Sequence, residues 1–558
     1  MAHRCTFGRL MALTLLLAAC GVVQADLPPA PQIDAVFAMH DRPQAPGCSL
    51  GIYQHGKLSY ARGYGMANLE YSLPNGPDTV FRIASVSKQF MAAAVALLHE
   101  AGKLSLDDTL DQYYPAMGDY ARQITLRQLV YHTSGIRDYL ELADMADWGE
   151  WYTVDEAVAL ILRQQNTNFV PGEESIYSNS GYLLLADILQ QVTGMQLHDW
   201  AEHNLFAPLG MEHTLFQDDH SRLISKRADG YRRGEDGAWH RAVTQLDMVG
   251  DGGIYTTVED LLQWHNNFTH NRLGQGRQAL IELLETSHEL PDGTDIHYGF
   301  GLSVNEFMGQ RVVEHGGSWV GYRAHLQRYP EAGLGIAVLC NAGNASPGAL
   351  ARQVAQLLLP VTQEQAPAPA PASRPETPDL NRQQMERWVG RYWNEQDLEL
   401  GEIMLDGETL AYRGPWSKVP LVALSPSRFY TDAPGWQAYT LYFEEDADGT
   451  PTLRMEAPGE TAIRMQQLAA YEPSANTLQE LAGLYHSAEL AHVAQLRATH
   501  NELLLNRRAG ARSLSPIGPD LYQLDGTMTL AFQRDEKGQI SGMQMHSGRV
   551  RGISYKRR

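Results

Sequence analysis

A chain of 558 residues is too long for one ordinary core, because domains run to roughly 100–200 residues each. Its composition, 44% hydrophobic and 20% charged, is that of a globular protein with ample material for buried cores. The formal net charge of −21 excludes nucleic acid as a partner: a polyanion would be repelled, and the basic end Lys556-Arg557-Arg558 is too short to offset this.

The chain opens like a secretion signal spanning residues 1–25. Arg4 and Arg9 precede an apolar run, Leu10 to Ala19, that is shorter than the about 20 residues a membrane-spanning helix needs. Two exits are written into it. Leu17-Ala18-Ala19-Cys20 resembles a bacterial lipobox, which would place a lipid anchor on Cys20, whereas Val23-Gln24-Ala25 before Asp26 resembles an ordinary signal peptidase site. Either exit predicts a periplasmic or secreted protein, free or tethered, with no other membrane attachment.

Beyond the signal, strands are predicted near 47–54 and 57–64, turning at His55-Gly56, and helices at 87–101, 154–165, 180–193 and 258–267. Strands return at 310–314, 322–329 and 334–340. Strands at both ends with helices between them predict an α+β layer structure over 32–360, its sheet closed by pairing the first strands with the last. Cys48 and Cys340 lie in strand-like apolar runs. A buried pair of free thiols is the simpler expectation, and a disulfide between neighbouring strands the alternative in an oxidising compartment.

Three motifs carry chemistry. In Phe81-Arg82-Ile83-Ala84-Ser85-Val86-Ser87-Lys88, Ser85 and Lys88 are three apart, so a helix would set both on one face. A serine hydroxyl is a weak nucleophile that needs a neighbouring base, and a buried lysine can serve. Tyr177-Ser178-Asn179 offers a phenol that can shuttle a proton and an amide that can orient its neighbours. His315-Gly316-Gly317 follows the strand Val312-Val313-Glu314, and its glycines would let backbone approach a ligand closely.

In this order and at these separations the motifs resemble the serine β-lactamase and penicillin-binding-protein family, in its class C-like, esterase and D-aminopeptidase branch. Supporting segments are Leu129-Val130-Tyr131-His132-Thr133-Ser134-Gly135, Gly250-Asp251-Gly252-Gly253-Ile254 and Tyr298-Gly299-Phe300-Gly301-Leu302. The resemblance implies an acyl-enzyme mechanism without metal or cofactor. Ser85 attacks the carbonyl, while Lys88 and Tyr177 share the acid–base work, the first base being left open. The N–H groups of Ser85 and Ser318 form the oxyanion hole beside Gly317, and Asn179 orients Lys88 and the substrate amide. His315 stands where penicillin-hydrolysing members usually carry lysine, which moves the expectation from β-lactams toward small amides and esters. Asp251 reads as a turn residue, with a place in the lining of the site as the alternative, Glu173 and Glu174 as loop charges, and His132 as a packing and capping residue.

Alternating Ala-Pro from Ala366 to Ala372, extended by Pro375 and Pro378, predicts a stiff linker over 361–379. Beyond it Trp388-Val389-Gly390-Arg391-Tyr392 recurs as Leu481-Ala482-Gly483-Leu484-Tyr485, and Leu424-Ser425-Pro426 as Leu514-Ser515-Pro516, at offsets of 93 and 90 residues. Two all-β, lipocalin-like barrels at 380–470 and 471–558 are the expectation, one larger β domain the alternative. The architecture resembles that of D-aminopeptidases, in which a barrel loop reaches the active site and reads the substrate's free amino group. Asp520 and Asp525 are the acidic candidates for that role; otherwise the barrels only pack or build a homodimer. The function expected is hydrolysis of D-amino-acid peptides or amides. An esterase, D,D-peptidase or weak β-lactamase of the same fold is the alternative, and a non-catalytic cell-wall-binding or sensor protein the reading from another class.

Overall fold

The run Cys48–Gln54 is buried along all but its last residue, and Leu334–Cys340 along its whole length, so both belong at the centre of a sheet covered on two faces. The computed structural model describes residues 27–149, 151–360, 380–395, 398–414, 418–431, 439–457 and 462–558. The predicted signal at 1–25, with Cys5 and Cys20, and the linker at 361–379 lie outside the described residues.

Six strands form the sheet: β1 (Cys48–Gln54), β2 (Lys57–Tyr64), β3 (Ser303–Phe307), β4 (Gln310–Trp319), β5 (Tyr322–Tyr329) and β6 (Leu334–Cys340). Their order is β3-β4-β5-β6-β1-β2, and every neighbouring pair is antiparallel. The first strand therefore pairs with the last. Cys48 lies directly opposite Cys340, and the two sulfurs are bonded, in place of the free thiols expected. Alternate residues along β6 point to different cores. Ile336 and Val338 meet Leu350 and Val354 of the helix Pro347–Leu358, while Ala337 and Leu339 face the larger helical core.

That larger core is built around α1 (Lys88–Glu100), buried from Lys88 to Leu98. A helix apolar on every side must be surrounded, and α1 packs against α2 (Asn179–Thr193) and the helix Gln278–Glu285. The strand expected to end at Glu314 runs on to Trp319. The ladder from Val313↔Arg328 to Trp319↔Tyr322 outweighs the poor strand preference of Gly316 and Gly317.

The tail forms two closed, eight-stranded, antiparallel barrels, which excludes one larger β domain. The first runs from Gly390–Asn394 to Ile463–Gln467, the second from Gly483–Ser487 to Val550–Arg557. The repeat reaches single hydrogen bonds: Tyr392 Oη donates to Trp388 O at 2.9 Å, and Tyr485 Oη to Leu481 O at 2.7 Å.

The second barrel docks on the catalytic domain. Its apolar interior is continuous with Leu142, Ala143 and Met145 of the helix Tyr139–Met145. Beside this contact Arg137 and Glu489 form a buried ion pair at 2.8 Å, and Arg137 also donates to Arg551 O at 3.1 Å. Arg507 of the barrel pairs with Asp144 at 2.7 Å and Asp147 at 3.2 Å.

Candidate active site

Ser85 sits in a 3₁₀ turn, Ala84–Ser87, that leads directly into α1. The turn is entered through Ala84 at φ +48°, a left-handed conformation that costs a non-glycine residue about 1 kcal/mol or more and persists only where its surroundings hold it. They do so here: Ile83 N–H donates to Ile254 O at 2.9 Å, and Ser87 Oγ accepts the Ile254 N–H at 3.1 Å. Strand β4 crosses the turn at Gly317. A Cβ on Gly317 would lie 2.0 Å from Ile83 O and 3.3 Å from Ser85 N, so only glycine allows this approach.

Lys88, fully buried one turn below, directs Nζ to three acceptors. These are Ser85 Oγ at 3.3 Å, Asn179 Oδ1 at 2.7 Å and the Asp251 carbonyl at 2.7 Å. Three donors and three acceptors fit an ammonium. The Tyr177 ring lies 4.7 Å from Nζ, and its hydroxyl is buried without a hydrogen-bond partner. An orphaned buried hydroxyl is costly unless something completes it. His132 follows the helix Leu126–Val130, packs tilted against Tyr177 with ring centres 4.3 Å apart, and accepts the Ser178 N–H at 3.1 Å. Burial, and then the charge of Lys88, holds it well below the usual histidine range, so it supports the site as a neutral ring.

Burial, followed by Lys88, also lowers the pKa of His315 to about 4. Its bonds agree. Nδ1 stands 2.6 Å from Gly316 O and must carry the proton, leaving Nε2 to accept from Tyr298 Oη at 3.1 Å. His315 therefore faces the cavity as a neutral ring.

These groups open onto a cavity of about 860 Å³. Ser85, Tyr177, Asn179, His315, Gly317 and Ser318 line it, with Lys88 beneath. Asp251, expected to be a turn residue, is on the wall too. It is buried, holds Lys88 through its carbonyl, and accepts from Tyr139 Oη at 3.0 Å. Burial raises its carboxyl pKa, against the pull of Lys88. Glu173 and Glu174 do not line the cavity, but Glu174 ties down the tail by pairing with Arg551 at 3.0 Å.

The tail does reach the cavity, though not through an acidic group. Asp520 pairs with Arg534 at 2.8 Å and Asp525 with Arg512 at 2.7 Å, and neither lines the cavity. Both lie on loops at the barrel's other turns, where these arginines neutralise them. The residue delivered is Arg549, at the hairpin between Ile540–Ser547 and Val550–Arg557. Sequence reasoning passed over Asp138, Glu141 and Arg549. Asp138 had a weak signal, a helix N-cap acid just past the His132 segment. Arg549 had none, because only the docking of the barrel brings it near.

Among the described residues no group of acidic, histidine or cysteine side chains could hold a metal ion. A family model described as Beta-lactamase matches residues 33–359. A D-aminopeptidase of Brucella ovis is 27% identical over 561 residues, covering 94% of this chain and 99% of its own. One of Gluconobacter oxydans is 25% identical over 544 residues, covering 94% and 98%. Among solved structures, the octameric penicillin-binding protein homologue from Pyrococcus abyssi superposes with a TM-score of 0.55 at 26% identity, covering 78% of this chain and 99% of its own.

Proposed function

The chain belongs to the beta-lactamase family and is a serine hydrolase, and from that premise we propose that it removes N-terminal D-residues from small peptides and amides outside the cytoplasm. The observation that carries the chemistry is the convergence of Ser85 Oγ, the threefold-committed Lys88 and the free Tyr177 hydroxyl on one cavity.

In this reading the carbonyl of the scissile bond enters between the N–H groups of Ser85 and Ser318, and Ser85 Oγ attacks its carbon. Lys88, held as a donor by Asn179 and Asp251, steadies the oxygen. Tyr177, whose hydroxyl has no other partner, relays the proton: its oxygen accepts the serine proton as its own O–H proton passes to the departing nitrogen. A water molecule then releases the acid from Ser85 by the reverse sequence. The full-length match to D-aminopeptidases, both barrels included, supports a D-residue on the acyl side. Export is supported by the signal-like start and by the Cys48–Cys340 disulfide, which persists in oxidising compartments.

The test is hydrolysis of D-alanyl p-nitroanilide with its amine free and acetylated, using Ser85→Ala as the blank. Cleavage of the free amine alone supports the reading. Equal cleavage of both would leave a serine hydrolase of another specificity, an esterase or D,D-peptidase. No cleavage, with no Ser85 adduct from a fluorophosphonate, would remove the enzymatic reading.

A further inference from the structure

The hairpin that carries Arg549 is fastened through its backbone. Arg549 N–H donates to Glu141 Oε2 at 2.8 Å, and Arg549 O accepts from Asn168 Nδ2 at 2.9 Å and from Asp138 N–H at 3.4 Å. Arg551 N–H donates to Asn168 Oδ1 at 2.8 Å, and Ser547 Oγ donates to Glu141. Main-chain atoms on both sides of the tip are therefore held to the catalytic domain, which fixes where the Arg549 side chain begins.

The guanidinium is ion-paired with two carboxylates but makes no close hydrogen bond to either. It stands 3.8 Å from Asp138 Oδ2 and 3.9 Å from Glu141 Oε1, beyond hydrogen-bond reach of either, and its side chain is 41% exposed in the cavity. The hydrogen bonds of those carboxylates go to other groups: Asp138 Oδ2 accepts two from Asn179, and Glu141 Oε2 accepts from Ser547 and the Arg549 backbone, which leaves only longer ion pairs to the guanidinium. Other cations at the cavity differ in exposure. Lys88 has all three donors committed, and Arg82, whose Nε has no hydrogen-bond partner, is buried 5.9 Å from both the Tyr255 and Trp319 rings, whereas Arg549 is the exposed one.

Its place is on the leaving-group side. The Arg549 guanidinium carbon lies 5.0 Å from the centre of the Tyr177 ring, the group that hands a proton to the departing nitrogen. In a leaving amino acid the α-carboxylate is two bonds from that nitrogen, so with the nitrogen at Tyr177 the carboxylate falls within about 3–4 Å of it, on the guanidinium. A planar guanidinium with free parallel N–H groups matches a carboxylate in two-point geometry.

We propose that Arg549 reads the free α-carboxylate of the leaving residue, so that preferred substrates end one residue beyond the scissile bond. This rests on the hydrolase reading above and narrows it from an aminopeptidase to an enzyme of D-dipeptides.

The experiment compares kcat/KM for D-alanyl-D-alanine and D-alanyl-D-alaninamide, which share the scissile bond and differ only in that carboxylate. It uses the full chain and its Arg549→Gln and Arg549→Lys variants, with Ser85→Ala as the blank. The wild type is expected to favour the free acid by roughly 10- to 100-fold, Arg549→Gln to bring that ratio near one, and Arg549→Lys to recover part of it. Cleavage of acid and amide at equal rates, or a ratio unchanged in Arg549→Gln, overturns the carboxylate reading and leaves the hydrolase standing. Cleavage of neither substrate by the wild type overturns both.

Discussion

Asp138 Oδ2 accepts the backbone N–H of Asn179 at 2.7 Å and its side-chain Nδ2 at 2.8 Å, so one carboxylate oxygen fixes both the start of α2 and the direction of the amide. With Nδ2 committed, Oδ1 must face Lys88. The lysine that serves Ser85 is thus aimed by a residue that touches neither.

Asp138→Asn is therefore expected to lower kcat by roughly 10- to 100-fold, because its NH2 must replace one acceptor oxygen and face a donor, either Leu140 N–H, now accepted at 3.0 Å, or the two groups of Asn179, which is then freed to turn. As a positioning effect it should fall on kcat with little change in KM, read from initial rates over a range of substrate concentrations. An equal loss in KM alone would mean that Asp138 binds substrate instead.

Gly317→Ala is expected to abolish turnover. The added Cβ meets the backbone oxygen of Ile83 at 2.0 Å, and backbone cannot rotate aside as a side chain can. Strand β4 must lift from the Ser85 turn, separating the two oxyanion donors, at a packing cost of about 1–3 kcal/mol. Loss of fluorophosphonate labelling with only a modest fall in unfolding temperature is the outcome to look for.

The chemistry was legible in the sequence where it is local. Ser85 and Lys88 share one turn, Tyr177 and Asn179 adjoin in one segment, and the glycines after His315 pointed to close backbone approach. What was not legible depends on distance. Asp138 acts on Asn179 across 41 residues, and Arg549 reaches Glu141 across 408. The barrel repeat was visible because strands and turns recur at a fixed offset, but which hairpin meets the cavity depends on docking. That is why the acidic Asp520 and Asp525 were favoured over an arginine.

Glu489→Gln leaves the Arg137 guanidinium buried without its counter-charge, and this is expected to lower stability by about 3–5 kcal/mol. The double variant Arg137→Met, Glu489→Leu should be less destabilised than either single change, as urea unfolding of the full chain can measure. Because the pair lies beside the barrel contact, Glu489→Gln should also weaken the preference for free acid over amide.

Acid should destabilise the protein well before its carboxylates titrate. Burial lowers the pKa of His265 to about 3 and those of His315 and His546 to about 4, and holds His132 well below its usual range. Above pH 6.5 these rings are neutral whether folded or unfolded and contribute no pH dependence. As pH falls from 6.5 toward 4 the unfolded chain takes up protons that the folded chain refuses, so stability drops. A ring shifted from 6.5 to about 4 contributes about 3 kcal/mol across that window. The raised carboxyls of Asp251 and Glu141 act in the opposite sense, but His40, His288 and His492 are lowered as well, so the histidines outnumber them. The urea midpoint is expected to fall between pH 7 and pH 5.

The bond between Cys48 and Cys340, 292 residues apart, also decides how the molecule answers a pull on its ends. Tension entering at β1 crosses the sulfurs directly to β6, and roughly 1000 Å of chain between them carries no load. Ser85, Lys88, Tyr177 and His315 all lie inside that shielded loop, whereas Arg549 and its barrel lie outside it. Stretching would strip away the barrel and its arginine first, so the molecule would lose its selectivity while its nucleophile and proton shuttle were still assembled.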